Sequence, residues 1–155
     1  MGFNEGDHAL ERKEKVIIAD ASVIVKWFVQ ERFTEEALKI RDDYRRRLVD
    51  IRSTSLLPFE VLNALRYNPE LGQKEIEKAG NALSRYNMAL YPLIDGYLGL
   101  CAEVAFKYGI TLYDASYVAL SLTLDRELYT ADEKLIRKVQ DKRLLHVSQY
   151  TSPSR

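Results

Sequence analysis

Four carboxylates stand where an apolar scaffold gives way to an exposed site. Asp20 ends the run Val16-Ile17-Ile18-Ala19. Glu60 interrupts the apolar stretch from Leu56 to Leu65. Asp114 opens the apolar run Ala115 to Leu124, and Asp132 follows Leu128-Tyr129-Thr130-Ala131. Acids in such settings are costly unless positive charge opposes them. The economical explanation is that all four converge on a divalent metal. A ligand set made only of oxygen selects Mg²⁺ or Mn²⁺ over zinc.

Each acid also has an ordinary reading. Asp20 is placed to cap a following helix, although Ser22 is available for that and can instead orient the carboxylate. Glu60 and Asn63 are three apart on one helical face, which is either the solvated side or a site in which Asn63 supports Glu60. Asp114 and Asp132 are both at helix starts, where a carboxylate satisfies free amides and favours the dipole. Thr130 precedes Asp132 as a supporting hydroxyl. Tyr113 and Tyr117 read as packing residues. The clustered acids, without metal, should repel and raise at least one pKa.

The elements that must carry these residues follow from periodicity. Val16–Ala19 is a buried strand, with Ser22 capping a helix to about Val29. Thr34 caps a longer helix to about Val49, with Ala37, Leu38, Ile40, Tyr44 and Leu48 facing the core. Strands follow at 51–54, at 89–93 (where Pro92 requires an edge strand or a strand end), at 127–130 and at 144–147. Helices cover about 57–67, 74–86, a span capped by Asp95 that ends at the C′ residue Gly109, 113–124 and 132–139. Strands alternating with helices predict an α/β fold with a parallel sheet covered on both faces. Ligands of such sheets bind beyond the carboxyl ends of the strands, which puts Asp20 and Asp132 on one edge.

Composition narrows the class. The chain has 155 residues, 46% hydrophobic, and balances 23 basic against 23 acidic side chains. That fits one domain and argues against a polycationic nucleic-acid binder. We read a polar extension over 1–14, disordered or a short helix capped by Asp7, a domain over 15–148 and a polar tail over 149–155. The one cysteine, Cys101, excludes an internal disulfide, and two histidines disfavour a histidine metal site. No apolar run nears the ~18 residues of a membrane span, and no signal peptide is visible, so a cytoplasmic location is expected. Arg45-Arg46-Arg47, the pair Lys134 and Arg137, and Lys26 are each either solvated or in reach of a phosphate. There is no glycine-rich phosphate loop and no G-x-S-x-G elbow.

Four segments in order resemble the motifs of PIN-domain proteins: 20–28 (DASVIVKWF), 58–65 (PFEVLNAL), 113–120 (YDASYVAL) and 129–135 (YTADEKL). Within that family the chain is most similar to the VapC group of toxins from prokaryotic toxin–antitoxin pairs. The resemblance implies a three-layer α/β/α fold with a short parallel sheet of about four to five strands. It implies a Mg²⁺- or Mn²⁺-dependent ribonuclease with one or two ions, leaving a 5′-phosphate and a 3′-hydroxyl. Asp20, Glu60, Asp114 and Asp132 would be its acidic quartet and metal ligands, with Thr130 beside the last. It also implies a homodimer and an antitoxin, VapB-like or other, that inserts a segment into the acidic pocket. The extension before Val16 departs from the family pattern. A noncatalytic PIN-like module binding RNA or protein, or a PIN nuclease of RNA processing outside a toxin–antitoxin pair, are the alternatives. A haloacid-dehalogenase-type phosphatase fits poorly, because Ser22 stands where a second aspartate is needed. A receiver domain leaves Glu60 and Asp114 unexplained.

Overall fold

In the computed structural model, which describes residues 14–154, a parallel sheet is built around a central strand too apolar to face water on either side. Strand β1 is Lys15–Ala19, β2 Val49–Thr54, β3 Ala89–Tyr91, β4 Leu128–Thr130 and β5 Leu144–His146. They pair in the order β3-β2-β1-β4-β5, all parallel. Successive residues of a strand face opposite sides. Ile17, Ile18 and Ala19 are all fully buried, so both faces of β1 are covered. That is the three-layer α/β/α arrangement expected from the sequence.

Helices α1 (Ala21–Ile24), α2 (Thr34–Arg45), α3 (Leu57–Arg66), α4 (Gln73–Tyr86), α5 (Asp95–Tyr108), α6 (Leu112–Leu124) and α7 (Glu133–Val139) connect the strands. Helix α6 is apolar on every side, with all residues from Ala115 to Leu120 buried. The core joins it to β1, β2 and the inner faces of α2, α3 and α7.

Several boundaries differ from the sequence reading. The helix after Asp20 stops at Ile24 and tightens into a 3₁₀ turn at Val25–Trp27, and its N-cap position is Asp20, not Ser22. Helix α2 ends at Arg45 rather than near Val49. Arg47 takes a positive φ of 60°, and the amides of Arg47 and Leu48 fold back onto Tyr44 and Asp43. Val49 is pulled into the sheet opposite Lys15. Strand pairing there overrides helical periodicity. Asp95 is the first residue of α5, and Ile94 holds the cap position. Gly109 closes α5 with φ 62°, as a C-terminal glycine should.

The extension over 1–14 lies outside the described residues except for Glu14. At the other end, the segment read as a polar tail carries a buried anchor. Tyr150 is 4% exposed, donates to Asp43 Oδ2 at 2.6 Å and packs edge-on against Tyr129.

Candidate active site

Asp20 follows β1 directly, with its amide donating to the Tyr129 carbonyl at 3.3 Å. Its backbone occupies the cap of α1, and its carbonyl accepts from Val23 and Ile24, yet its side chain makes no capping bond. The carboxylate is therefore left for other work. It is 5% exposed, and Oδ1 accepts from Ser22 Oγ at 2.5 Å.

Ser22 joins two strand ends. Its single proton goes to Asp20, and its oxygen accepts from the Ala131 amide at 2.8 Å. Thr130 Oγ1 lies 3.3 Å away and, with the Ser22 proton spent, acts as donor there. The same Thr130 oxygen accepts from the Asp132 amide at 3.1 Å. The register Ala19 against Tyr129 sets these groups side by side.

Asp132 does cap α7, accepting from the Leu135 amide through Oδ1 at 3.1 Å. That leaves Oδ2 outside the cap. Asp114 does not cap. Thr111 holds that position and accepts from the Asp114 amide at 3.1 Å, so the half-buried Asp114 carboxylate is not consumed by its own helix. Glu60 lies in the first turn of α3, and its Oε1 accepts from the Tyr117 hydroxyl at 2.6 Å. Asn63 is exposed, and among the described residues Glu60 is held by Tyr117 instead.

Tyr117 was read from the sequence as packing, and it is buried at 1% exposure, but its hydroxyl has this second task. The available signal was its spacing: three residues after Asp114, it shares a helical face with that acid.

Burial is the main force on these acids. It pushes Asp20 up to about 6, opposed by the Ser22 hydrogen bond and the nearby Thr130 hydroxyl and reinforced by the Asp114 charge. Glu60 is raised by burial first, with Asp114 adding and Tyr117 opposing. Asp114 is raised by burial and then by Asp132. The expected like-charge repulsion is present but ranks behind desolvation. Repulsion from Asp114 on Asp20 and Glu60, and from Asp132 on Asp114, links the four acids as one electrostatic group, and hard oxygen donors suit a hard divalent cation. Their side chains nevertheless stand apart: among the described residues, no three acidic, histidine or cysteine groups are gathered closely enough to hold one ion.

Basic groups sit beside them. Lys134 and Lys138 line a hollow of about 380 Å³ together with Thr111, Asp114 and Asp132. Lys138 Nζ donates to the Gly109 carbonyl at 3.1 Å. Of the pair singled out in the sequence, Lys134 reaches this hollow and Arg137 does not line it. Lys138, one helical turn past Lys134, was missed although its spacing of four shares that face. Lys26 is buried and paired with Glu31 at 2.9 Å.

With this geometry in place, comparison with known proteins defines the class. The model of the PIN domain matches residues 17–142, and the chain belongs to that family. Among individual proteins, it is 28% identical over 126 residues to Ribonuclease VapC3 of Pyrobaculum aerophilum, spanning 79% of this chain and 93% of that protein. The crystal structure of PAE2754 from Pyrobaculum aerophilum superposes with a TM-score of 0.61 at 25% identity, over 88% of this chain and 93% of the other. A toxin–antitoxin complex from Klebsiella pneumoniae gives a TM-score of 0.62 at 17% identity, over 84% and 97%, which shows a shared fold.

Proposed function

We propose that this protein is a metal-dependent endoribonuclease that hydrolyses RNA phosphodiester bonds, and that it is the toxin of a type II toxin–antitoxin pair. The observation that carries the proposal is Asp20, a carboxylate buried at a strand end, excused from capping and coupled to Asp114. A buried acid without an opposing cation is a liability, and a divalent ion would remove it.

Asp20, Glu60, Asp114 and Asp132 would hold Mg²⁺ or Mn²⁺ once their side chains, which stand apart without it, turn toward the ion. A bound ion of this kind lowers the pKa of water to give hydroxide and offsets phosphate charge. Ser22 fixes the Asp20 carboxylate, and Thr130 steadies Ser22. Tyr117 fixes Glu60. Lys134 and Lys138 supply positive charge to a phosphate in the adjoining hollow. The Cys101 thiol is buried and its pKa is raised by that burial, which suits packing rather than attack.

The partner half of the proposal is supported by unpartnered aromatics beside the acids. Phe59, next to Glu60, is 79% exposed, and Tyr113, next to Asp114, is 59% exposed. A VapB-like or other antitoxin, and a second copy of the chain, are the proposed occupants of exposed apolar surface. No helix among the described residues is long and apolar enough to cross a membrane, and we place the protein in the cytoplasm.

The spacing of the acids favours a second reading, a PIN-like module that binds RNA or protein without cutting. Incubating labelled total RNA with Mg²⁺ or Mn²⁺, and with EDTA, separates the two. Metal-dependent cuts that vanish in Asp20→Asn support the nuclease. Retained RNA binding with no cleavage by either protein supports the module.

A further inference from the structure

The edge of the sheet opposite the acids carries a second concentration of charge. Helix α2 ends at Arg45 and runs on into Arg46-Arg47, and α4 ends in Arg85-Tyr86. The register Lys15 against Val49 places this corner at the amino end of β1, whereas Asp20 is at its carboxyl end. At a rise of about 3.3 Å per residue, the length of β1 alone separates them by roughly 15 Å.

Two adjoining hollows, of about 410 and 300 Å³, share Tyr44, Arg45 and Tyr86. Arg85 lines the first, and Arg47 the second. Tyr86 is firmly seated: the Trp27 ring meets it edge-on at 4.9 Å, and its carbonyl accepts from the Tyr44 hydroxyl at 2.7 Å. Arg45 lies over the Tyr86 ring at 5.5 Å, and its Nη2 donates to the Tyr86 hydroxyl at 3.1 Å. None of Arg45, Arg46, Arg47 and Arg85 is paired with a carboxylate among the described residues. Two acids border the second hollow, Glu14 and Asp50, and Asp50 is engaged by Arg52 at 3.0 Å. In a chain of zero net charge, this is a local excess of positive charge set on a fixed aromatic surface.

We propose that this cleft is a second RNA-binding surface, which takes backbone phosphates on its arginines and a base against the stacked pair of Arg45 and Tyr86, away from the bond that is cut. The inference rests on RNA being the substrate. Guanidinium groups beside an aromatic face are the elements that hold single strands without reading sequence. An acidic polypeptide would use the charge and leave the ring unused.

The test uses a fluorescein-labelled 20-nucleotide oligouridylate in EDTA, with anisotropy followed across a salt series. Arg45→Gln/Arg85→Gln should weaken binding about tenfold and reduce the slope of log Kd against log salt by about 1.4, at ~0.7 per lost phosphate contact. Arg45→Lys/Arg85→Lys should restore most of that slope, which a merely misfolded cleft would not allow. With Mn²⁺, the Gln pair should raise KM for long RNA and leave cleavage of a four-nucleotide substrate unchanged. Unchanged Kd and slope in the Gln pair would overturn the inference. So would binding of polyglutamate in place of RNA. Wild-type protein that binds RNA through the cleft but cuts neither substrate would sink the nuclease reading and leave this one standing.

Discussion

Single side chains decide how the acidic site behaves without metal. Asp20 rises from 3.8 to about 6 because of burial, so its native pKa lies above its unfolded one. Below about pH 3.8 it is neutral in both states and contributes nothing. Between there and about pH 6 the native state holds the proton that the unfolded state releases, so stability falls as pH rises. The difference corresponds to about 3 kcal/mol above pH 6. We expect Asp20→Asn to be more stable than wild type in EDTA at pH 7.5, with the gain shrinking toward pH 4, as followed by urea unfolding. With Mn²⁺, the melting temperature of wild type should climb and that of Asp20→Asn should not. Tyr117→Phe removes one hydrogen bond from Glu60 while keeping the ring. We expect it to cost about 1–2 kcal/mol in urea unfolding and to lower metal-dependent cleavage several-fold.

Elements place those side chains through their ends. Helix α6 supplies Asp114 from its first turn and Tyr117 from the next, so one rigid rod sets two contacts. The loop that starts it depends on Gly109. Its φ of 62° is a left-handed conformation, and a Cβ there would meet no atom within 4 Å. The cost of Gly109→Ala is therefore conformational alone, about 1 kcal/mol, and thermal melting should show that drop with cleavage per folded molecule unchanged. Helix α7 begins with Asp132 serving both its own cap and the acidic group. Its cap reading and its site reading are compatible, because the Leu135 amide uses one of two carboxylate oxygens.

The whole molecule sets where the site can be. From β1 the chain builds outward through β2 to β3, then returns to lay β4 and β5 on the other side of β1. The order reverses between β1 and β4, and ligands of open parallel sheets bind at such a reversal. Ser22, Asp20 and Thr130 meet there. The far end of the chain closes the structure, because Tyr150 reaches Asp43 on α2. Tyr150→Phe leaves a buried carboxylate short of a donor, and we expect a loss of about 1–3 kcal/mol by denaturant titration. Metal-dependent cleavage by the molecules that remain folded should be unaltered.

Local pattern alone determined a good deal. Alternating apolar strands and amphipathic helices specify the α/β class, since period and burial are properties of short segments. Asp20, Asp114 and Asp132 at element ends, and Glu60 within an apolar helix, were readable for the same reason, as was Gly109. Helix α2 was read too long because no local signal reveals that Val49 will pair with Lys15. Sequence points to Asn63 as support for Glu60 and to Tyr117 as packing, because helical spacing is visible in a sequence and a contact across 57 residues is not. The order of the strands, the meeting of Ser22 with Thr130 and the gathering of arginines around Tyr86 all depend on segments distant in the chain. Only tertiary packing decides such pairings, because their energy comes from burial and hydrogen bonds that neither segment can make alone.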